Sequence, residues 1–367
     1  MALESLEIKG FKSIREASLR LTPLNILIGA NGAGKSNLIT VFRFLNQVIE
    51  EHLQLFVQTS GGADSLLYLG AKTTEELKIA VTWTKENGYQ NGYQASWRPT
   101  QDDSLVFAME ISEYQAPGYT HPYTRSLGEG YRETHLPAAA KLESGGMAAY
   151  VMKAMRTWKV YHFHDTSDSA KVKKFGELND NLYLRPDASN LAAFLFHLKE
   201  ESPDSYDAIR RTIRLVAPFF KDFLLRPQSK TEKIQLEWLE ESSDFPFRAH
   251  HLSDGTLRFI CLATLLLQPK VPETIVIDEP ELGLHPYAIT VLASLMRSAS
   301  ARCQVIVSTQ SIELLNEYSA EDIIVVDRKG SESTFVRPDT KALQEWLSDY
   351  SLGELWQKNV LGGRPTT

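Results

Sequence analysis

The sequence predicts an α/β fold, and three segments carry this prediction. A short apolar run at Leu24–Ile28 is followed by a glycine-rich segment and then by apolar residues at helical spacing over 37–48. Residues 273–281 contain a second apolar run that ends in two acids, and residues 304–311 contain a third that ends in polar side chains. Apolar strands that alternate with helical patterns are typical of an α/β architecture.

The glycine-rich segment at 29–36 fits the phosphate-binding pattern G-x-x-x-x-G-K-[ST]. A strand before it and a helix after it are the context that such a loop requires, and they argue against the alternative of an ordinary glycine turn. Backbone N–H groups of the loop surround phosphates, the Lys35 ammonium adds a positive charge, and the Ser36 hydroxyl binds Mg²⁺. The predicted ATP-binding residues are Asn31, Gly32, Ala33, Gly34, Lys35, Ser36 and Asn37.

Asp278 and Glu279 stand at the C-terminal end of the second predicted strand. We expect Asp278 to hold Mg²⁺, directly or through water, and Glu279 to polarise a water for in-line attack on the γ-phosphate. Acids after a strand are also common in turns, which is the alternative interpretation. Their position downstream of the glycine-rich loop favours the site over a turn. The presence of Glu279 directly after Asp278 favours hydrolysis over nucleotide binding alone, because the second acid is the group that a binding protein could lack.

Residues 251–258 precede an apolar helix and the acidic strand, and they resemble the Leu-Ser-Gly-Gly-Gln signature of ABC-type ATPases. Asp254 and Thr256 replace the second glycine and the glutamine of that signature. The resemblance implies that Ser253 and Gly255 contact the γ-phosphate bound by the other subunit of a dimer. A hydroxyl, a bare backbone and a helix N-terminus suit an anion. A plain helix cap with Ser253 at the N-cap is the alternative.

The third predicted strand ends at Gln310, where ABC-type ATPases carry a histidine that senses the γ-phosphate. Residues 281–286, just after the acids, resemble the loop that crosses the dimer interface in those proteins. Gln310 can donate a hydrogen bond but carries no charge at physiological pH. We therefore predict a catalytic role for Gln310 beside Glu279, at the point where the chain departs from the ABC pattern.

These elements, together with the opening Ile8-Lys9-Gly10-Phe11-Lys12-Ser13, resemble the RecF/SMC-type branch of the ABC ATPases. The resemblance is strongest to stand-alone bacterial AAA/ABC-type ATPases related to the OLD-family ATPase module. It extends to a Leu-Trp and Leu-Gly-Gly tail near residues 355–363. It implies a P-loop NTPase of ABC/SMC type, with ATP and Mg²⁺ as cofactors and an ATP-dependent homodimer in which Lys35 of one chain and Ser253 of the other enclose each ATP.

The pattern predicts one ABC-type ATPase domain over residues 1–367 with two lobes. Residues 1–135 form an N-terminal lobe with antiparallel hairpins over 66–114 and turns at 86–88 and 90–92. Residues 115–147 are rich in Tyr, Pro, Gly and Thr, so we expect a long loop there. A partly helical insertion follows over 147–232, in which the pattern is helical from Ala188 to Phe223 and broken at Pro203 and Pro218. The C-terminal lobe takes 233–367.

Composition limits the classes of function. A chain of 367 residues that is 43% hydrophobic can bury a large core, and it has no apolar run of membrane-spanning length and no secretion signal at its start, so we expect a cytoplasmic location. Cys261 and Cys303 are isolated, which excludes a zinc site. The net charge of −7 argues against nonspecific coating of nucleic acid. Basic residues between 171 and 226 are interleaved with acids, so a DNA or partner surface and a solvated mixed-charge face both stay open.

The sequence therefore predicts an ATP-binding and ATP-hydrolysing switch that dimerises around ATP. The leading hypothesis is work in DNA repair or anti-phage defence with DNA, with a separately encoded nuclease or toxin effector, or with both. The alternative is an ATP-dependent regulator of a protein partner that does not bind DNA. The nucleotide-binding subunit of a transporter is disfavoured, because the separation from Gly29 to Ser253 is much longer than in such subunits.

Overall fold

The computed structural model describes residues 2–84, 87–143, 145–228 and 230–363. The strands are β1 (Leu3–Phe11), β2 (Ile14–Arg20), β3 (Leu24–Ile28), β4 (Leu77–Thr84), β5 (Gln90–Pro99), β6 (Leu105–Gln115), β7 (Tyr123–Gly128), β8 (Trp158–Tyr161), β9 (Gly176–Glu177), β10 (Phe220–Phe223), β11 (Lys233–Ile234), β12 (Glu237–Glu240), β13 (Ser243–Arg248), β14 (Thr274–Asp278), β15 (Gln304–Thr309), β16 (Ile323–Lys329) and β17 (Glu332–Val336).

The helices are α1 (Lys35–Ile49), α2 (Leu53–Thr59), α3 (Leu136–Leu142), α4 (Met147–Arg156), α5 (Leu191–Glu201), α6 (Pro203–Val216), α7 (Asp254–Leu267), α8 (Pro286–Ser300), α9 (Ile312–Asn316), α10 (Thr340–Leu343) and α11 (Leu352–Gln357). Within the described ranges, none of these helices is long and apolar enough to cross a membrane.

A central sheet has the strand order β17-β16-β3-β15-β14-β8. Strand β3 pairs in parallel with β15 and β16, and β14 pairs in parallel with β15 and β8, whereas β17 is antiparallel. Parallel strands bring their carboxyl ends to one edge of the sheet, which is where ligands bind in α/β folds. The glycine-rich loop after β3, the acids after β14 and Gln310 after β15 therefore share one edge, and the strands predicted for all three motifs are confirmed.

The two faces of the central sheet pack against different cores. In β14, Ile275 and Ile277 face a core that includes α7 and α8, while Val276 faces a core that includes α1 and the antiparallel sheet. This alternation is what the two-residue period of a strand imposes. Burial on both faces explains why β3, β14 and β15 read as continuous apolar runs in the sequence.

The N-terminal part forms a second, antiparallel sheet in the order β2-β1-β4-β5-β6-β7. The antiparallel pairs β4–β5 and β5–β6 confirm the hairpins predicted over 66–114. The predicted turn at 90–92 is wrong, because β5 begins at Gln90 and pairs with both neighbouring strands there. A side chain at Gly92 would lie 2.9 Å from Glu113 Oε2, so glycine serves close packing at this position and not a turn. The predicted turn at 86–88 falls partly on residues 85–86, which lie outside the described residues.

The loop predicted over 115–147 is also wrong, since the segment contains β7 and α3. The buried carboxylate of Glu110 fixes it in place. Tyr131 donates to Glu110 Oε2 at 2.8 Å, the backbone N–H of His135 donates to the same oxygen at 3.0 Å, and the Thr134 hydroxyl donates to Oε1. These contacts join residues 21–25 positions apart, so local composition does not reveal them.

The predicted helical insertion contains α5 and α6, interrupted near Pro203 as expected. Residues Phe220–Phe223, predicted as the end of a helix, form strand β10 in a small sheet with β12 and β13. Strand β8, which the sequence places in the insertion, pairs with β14 at the edge of the central sheet. The division into lobes at residues 135, 147 and 232 stays a prediction.

Candidate nucleotide-binding site

The loop between β3 and α1 has a backbone that only glycine accommodates at two positions. Gly34 has φ of 118° and caps α1, and a Cβ there would lie 2.1 Å from Ser333 Oγ. A Cβ on Gly29 would lie 2.2 Å from the Val326 carbonyl oxygen. Strands β16 and β17 therefore press the loop against the N-terminus of α1, whose partial positive charge suits an anion.

Lys35 is the first residue of α1 and only 5% exposed. Its Nζ donates to the carbonyl oxygens of Gly29 at 2.6 Å and Ala30 at 3.1 Å. Burial lowers the pKa of Lys35, and the carboxylates after β14 act in the opposite direction, Glu279 most strongly. The ammonium thus lies among carbonyl oxygens and acids at the carboxyl edge of the sheet.

The two acids after β14 have different environments. Asp278 accepts a hydrogen bond from Ser308 Oγ on β15. Glu279 has φ of 43°, a left-handed conformation that costs a residue with a side chain about 1–2 kcal/mol. Its N–H donates to the Ser308 carbonyl at 2.9 Å, and Gln310 Nε2 donates to its Oε1. Contacts from β15 therefore hold Glu279 in a conformation that its own backbone disfavours, a combination typical of functional sites.

A cavity of about 220 Å³ lies between the glycine-rich loop and these acids. Its lining includes Lys35, Ser36, Glu279 and Gln310, which the sequence assigned to one site. Ala33 and Asp278 are not among the lining residues, and Ala33 is buried. The other lining residues are Ala30, Asn31, Gly32, Gly34, Asn37 and Arg328.

Arg328 lines the cavity but was missed by the sequence reasoning. It lies near the end of β16, the neighbour of β3, and its Nη1 donates to the Gly32 carbonyl at 3.3 Å. The signal that could have found it is a cation at the end of an apolar strand. The sequence does not state that β16 pairs with β3, so the arginine had no visible connection to the loop.

A series of side-chain hydrogen bonds also holds the loop in place. Asn37 Nδ2 donates to Ser13 Oγ at 2.6 Å, Ser13 and Ser333 share a bond of 2.7 Å, and Ser333 Oγ donates to the Ala33 carbonyl at 2.6 Å. Asn37 is half-buried and makes this contact with the opening segment that carried the family resemblance. These hydrogen bonds fix the loop to the β1–β2 turn and to β17.

Glu281 is a third acid at this edge, and the sequence reasoning gave it no role at the site. Its Oε1 accepts from Thr309 Oγ1 at 2.5 Å and from the Gln310 N–H at 3.3 Å. Burial raises the pKa of Glu281, although the Thr309 hydrogen bond acts against this rise. Glu281 thereby holds the end of β15, from which Gln310 extends toward Glu279.

The signature residues lie outside this cavity, at the start of α7. Ser253 is the N-cap, and its Oγ accepts from the Thr256 N–H at 3.2 Å, so the helix-cap arrangement is present. Ser253 is exposed, so its hydroxyl is accessible from solvent. Gly255 packs on the backbone of residue 283, where a Cβ would lie 2.3 Å from the Gly283 carbonyl oxygen. This close approach joins the signature helix to the segment predicted to cross the dimer interface.

The residues at the edge include oxygen ligands of the kind that Mg²⁺ prefers. In the described ranges, no group of three or more His, Cys, Asp or Glu side chains is placed to hold a metal ion. Mg²⁺ needs few protein ligands, because it keeps waters and binds substrate phosphates. Ser36 and Asp278 supply the hydroxyl and carboxylate oxygens that it prefers, and they remain the predicted ligands. His164 Nε2 lies 2.7 Å from the Asp278 carbonyl oxygen and so contacts the backbone of this acid.

Two family models match separate parts of the chain. A model described as "AAA ATPase domain" matches residues 1–92, and one described as "AAA domain, putative AbiEii toxin, Type IV TA system" matches residues 151–316. Among curated proteins, the Old nuclease of Escherichia phage P2 is 24% identical over 91% of this chain. The chain spans 60% of the length of that relative.

Solved structures of SMC heads share the fold. An Smc head bound to the C-terminal winged-helix domain of ScpA superposes with a TM-score of 0.60 at 18% identity, covering 94% of this chain and all of that chain. A Pyrococcus furiosus Smc head with an extended coiled coil, bound to the C-terminal domain of ScpA, has a TM-score of 0.56 at 16% identity and covers 95% and 98%.

The chain has the fold class of the SMC heads, a mixed α/β fold of the P-loop ABC type. The two family matches and the phage relative narrow this class, and together they support an OLD/SMC-like ABC-type ATPase. The predicted family resemblance and fold class are therefore confirmed.

Proposed function

We propose that the chain binds ATP with Mg²⁺ in the cavity between the glycine-rich loop and β14 and hydrolyses it. The observation that carries this proposal is that one cavity brings Lys35 and Ser36 together with Glu279 and Gln310. The loop N–H groups and the Lys35 ammonium bind the phosphates. Ser36 and Asp278 would hold Mg²⁺, which would supply positive charge beside the transferred phosphoryl group. Glu279 accepts a proton from the attacking water, and Gln310 orients the Glu279 carboxylate through their hydrogen bond.

Two measurements on the wild-type chain test this proposal. Calorimetry measures ATP binding with and without Mg²⁺, and phosphate release measures turnover. We expect saturable binding that strengthens with Mg²⁺, together with turnover that a chelator abolishes. Absence of binding would refute the nucleotide site, whereas binding without turnover would refute only the hydrolytic role of Glu279.

We further propose that two chains pair head to tail around ATP. Ser253 is exposed, and neither it nor Gly255 lines the cavity of its own chain, so the signature end of α7 needs a second molecule to meet a phosphate. ATP then holds the dimer together and hydrolysis releases it, because the ligand favours the state in which it makes more contacts.

Replacing Ser253 with Arg places a bulky cation at this contact. We expect ATP to bind to the monomer as tightly as it does to wild type, and we expect no ATP-induced dimer in size-exclusion chromatography with light scattering. Ser253→Ala is the control, since it removes the cap without bulk and costs helix α7 about 1 kcal/mol. If the Arg variant still dimerises with ATP, Ser253 is only a helix cap.

Gln310 is expected to affect hydrolysis more than binding. Gln310→Ala removes the amide that contacts Glu279, so turnover should fall while the ATP dissociation constant changes little. Gln310→His should retain activity with a new pH dependence. The imidazole has an ordinary pKa of about 6.5, which a nearby carboxylate raises. The charged ring would form an ion pair with Glu279, so this carboxylate would no longer be available to accept a proton.

The rate of Gln310→His should therefore rise with pH through the imidazole pKa, while wild type lacks this step. The measurement is ATPase rate against pH at saturating nucleotide for wild type and both variants. If Gln310→Ala matches wild type at every pH, Gln310 takes no part in hydrolysis.

For the biological task, we propose a switch in DNA repair or anti-phage defence that acts with DNA, a separately encoded nuclease or a toxin. Two similarities support this proposal. The chain is similar to a phage Old nuclease, and one of the matching family models is described as a putative toxin of a type IV toxin–antitoxin system. The alternative is an ATP-dependent regulator of a protein partner that does not bind DNA.

One structural observation bears on where DNA could bind. Several basic residues of the predicted insertion form ion pairs with neighbouring acids, which favours a solvated mixed-charge face over a phosphate-binding one. These pairs are Lys171 with Asp187, Arg210 with Asp207 and Asp222, Arg214 with Glu241, Lys221 with Asp244, and Arg226 with Glu237. DNA-stimulated ATPase activity and a DNA mobility shift, each with and without ATP, test DNA binding. Either effect would rule out the alternative, which excludes DNA.

A further inference from the structure

The Leu-Trp and Leu-Gly-Gly tail is a sequence motif that contributes no residue to the lining of the nucleotide site. The tail, which we define as residues 352–363, begins with α11 and returns to the central sheet. Leu355 is fully buried in the core, so the tail is packed into the fold. At its end, the Gly363 carbonyl accepts a hydrogen bond of 2.9 Å from the N–H of Ala30 in the phosphate-binding loop.

The end of the tail lies in close contact with the loop. Gly362 and Gly363 both have left-handed φ values, 79° and 78°. A Cβ on Gly363 would lie 2.9 Å from Val325 Cγ1, 3.1 Å from the Val326 carbonyl oxygen and 3.7 Å from Gly29 Cα. The Val326 carbonyl also excludes a side chain at Gly29. The backbones of the tail, of β16 and of the phosphate-binding loop are therefore in close contact at the end of β3.

The start of the tail is attached to the sensor side of the site. Gly353 N–H donates to Asn316 Oδ1 at 2.8 Å, and a Cβ on Gly353 would lie 2.5 Å from Ile312 Cγ2. Both partners belong to α9, whose N-cap Ser311 directly follows Gln310. The tail therefore bridges the helix after Gln310 and the phosphate-binding loop.

We propose that the tail positions the phosphate-binding loop for the nucleotide and links that loop to the Gln310 end of β15. Lys35 Nζ donates to the carbonyls of Gly29 and Ala30, and the tail restrains the same stretch of backbone through the Ala30 N–H. Gly363 is a positioning residue, because it acts on the phosphates only through the loop. The inference rests on the proposal that this loop binds ATP.

Adjacent glycines provide a matched pair of variants. Gly363→Ala adds a methyl group against Val325 and Val326 and strains the backbone, whereas Gly362→Ala adds a similar backbone strain at a position where no atom of the described residues lies within 4 Å of the new Cβ. We expect Gly363→Ala to raise the ATP dissociation constant about tenfold, and Gly362→Ala to raise it less than about threefold, with similar thermal unfolding temperatures. Calorimetry and a melting scan measure both.

A second measurement needs no variant. In wild-type protein, ATP with Mg²⁺ at about 100 times the dissociation constant should slow hydrogen exchange about tenfold or more in peptides that cover Ala30 and the tail. Peptides from α6, in the insertion, serve as the internal control and should change less. A tail that is only structural would exchange at the same rate with and without ATP.

The outcomes separate this inference from the proposed function. If wild type does not bind ATP, both fail. If wild type binds ATP but Gly363→Ala binds it as tightly as Gly362→Ala does, the positioning role is overturned and the ATP site stands. Should Gly363→Ala fail to fold, the exchange measurement decides alone, and tail exchange unaffected by ATP would overturn the role.

Discussion

Replacing Glu279 with Gln is expected to lower ATP turnover by a factor of about 10² or more while leaving ATP binding intact. The substitution keeps the shape of the side chain and an oxygen that can accept from Gln310 Nε2, so the contact that holds this residue in its left-handed conformation is preserved. What it removes is the carboxylate that, in the proposed reaction, accepts a proton from the attacking water. Phosphate release measures turnover, and calorimetry measures affinity.

The same variant should accumulate as a dimer in the presence of ATP and Mg²⁺, because the step that releases the two chains is blocked. Glu313→Gln is the matched control. It makes the same change of charge in the first turn of α9, where the carboxylate accepts from Ser311 Oγ outside the cavity. We expect it to hydrolyse ATP like wild type. If Glu279→Gln hydrolysed ATP at the wild-type rate, Glu279 would be a structural residue of the turn after β14.

The parts of the site that the sequence predicts are those encoded by a short stretch of chain. The strand at Leu24–Ile28, the glycine loop and helix α1 are contiguous, so their order in the sequence is also their order in space. The acids after β14 and Gln310 after β15 are recognisable for the same reason, because each follows an apolar run that is buried on both faces.

The parts that the sequence does not predict depend on which strands become neighbours. Arg328 reaches the loop only because β16 pairs with β3, nearly 300 positions earlier in the chain. The contact of Gly363 with Ala30 arises in the same way. Local patterns specify a strand but not its partner, and a pairing between distant segments is set by the packing of the whole core.

The wrong predictions for residues 90–92 and 115–147 have the same origin. Asn91 and Gly92 suit a turn by local propensity, yet both are buried between two partner strands. Residues 123–142 read as a loop, yet the buried Glu110 carboxylate and the edge of β6 order them. In both places tertiary pairing overrides the local signal, which is the usual limit of propensity arguments.

Lys35→Met is expected to weaken ATP binding tenfold or more. Charge-assisted contacts between an ammonium and phosphate are worth about 1.5–3 kcal/mol each, and a tenfold loss corresponds to about 1.4 kcal/mol. Lys35 is the cation at the first turn of α1, and its Nζ also joins the Gly29 and Ala30 carbonyls. Met keeps most of the length of the side chain, so the variant removes the charge without opening a large hole. Calorimetry with ATP and Mg²⁺ measures the loss.

The folding stability of Lys35→Met should stay close to that of wild type although its affinity for ATP falls. Burial lowers the pKa of Lys35, which means that the folded state disfavours the charged form. Removing the charge therefore removes a desolvation cost, and this gain offsets the loss of two hydrogen bonds. We therefore expect a melting temperature close to that of wild type. Lys341→Met, at an exposed position in α10, is the control for loss of one positive charge and should bind ATP normally. Normal ATP binding by Lys35→Met would overturn the assignment of 29–36 as the phosphate-binding loop, whereas a fall in both affinity and melting temperature would show that the lysine acts chiefly by holding the loop.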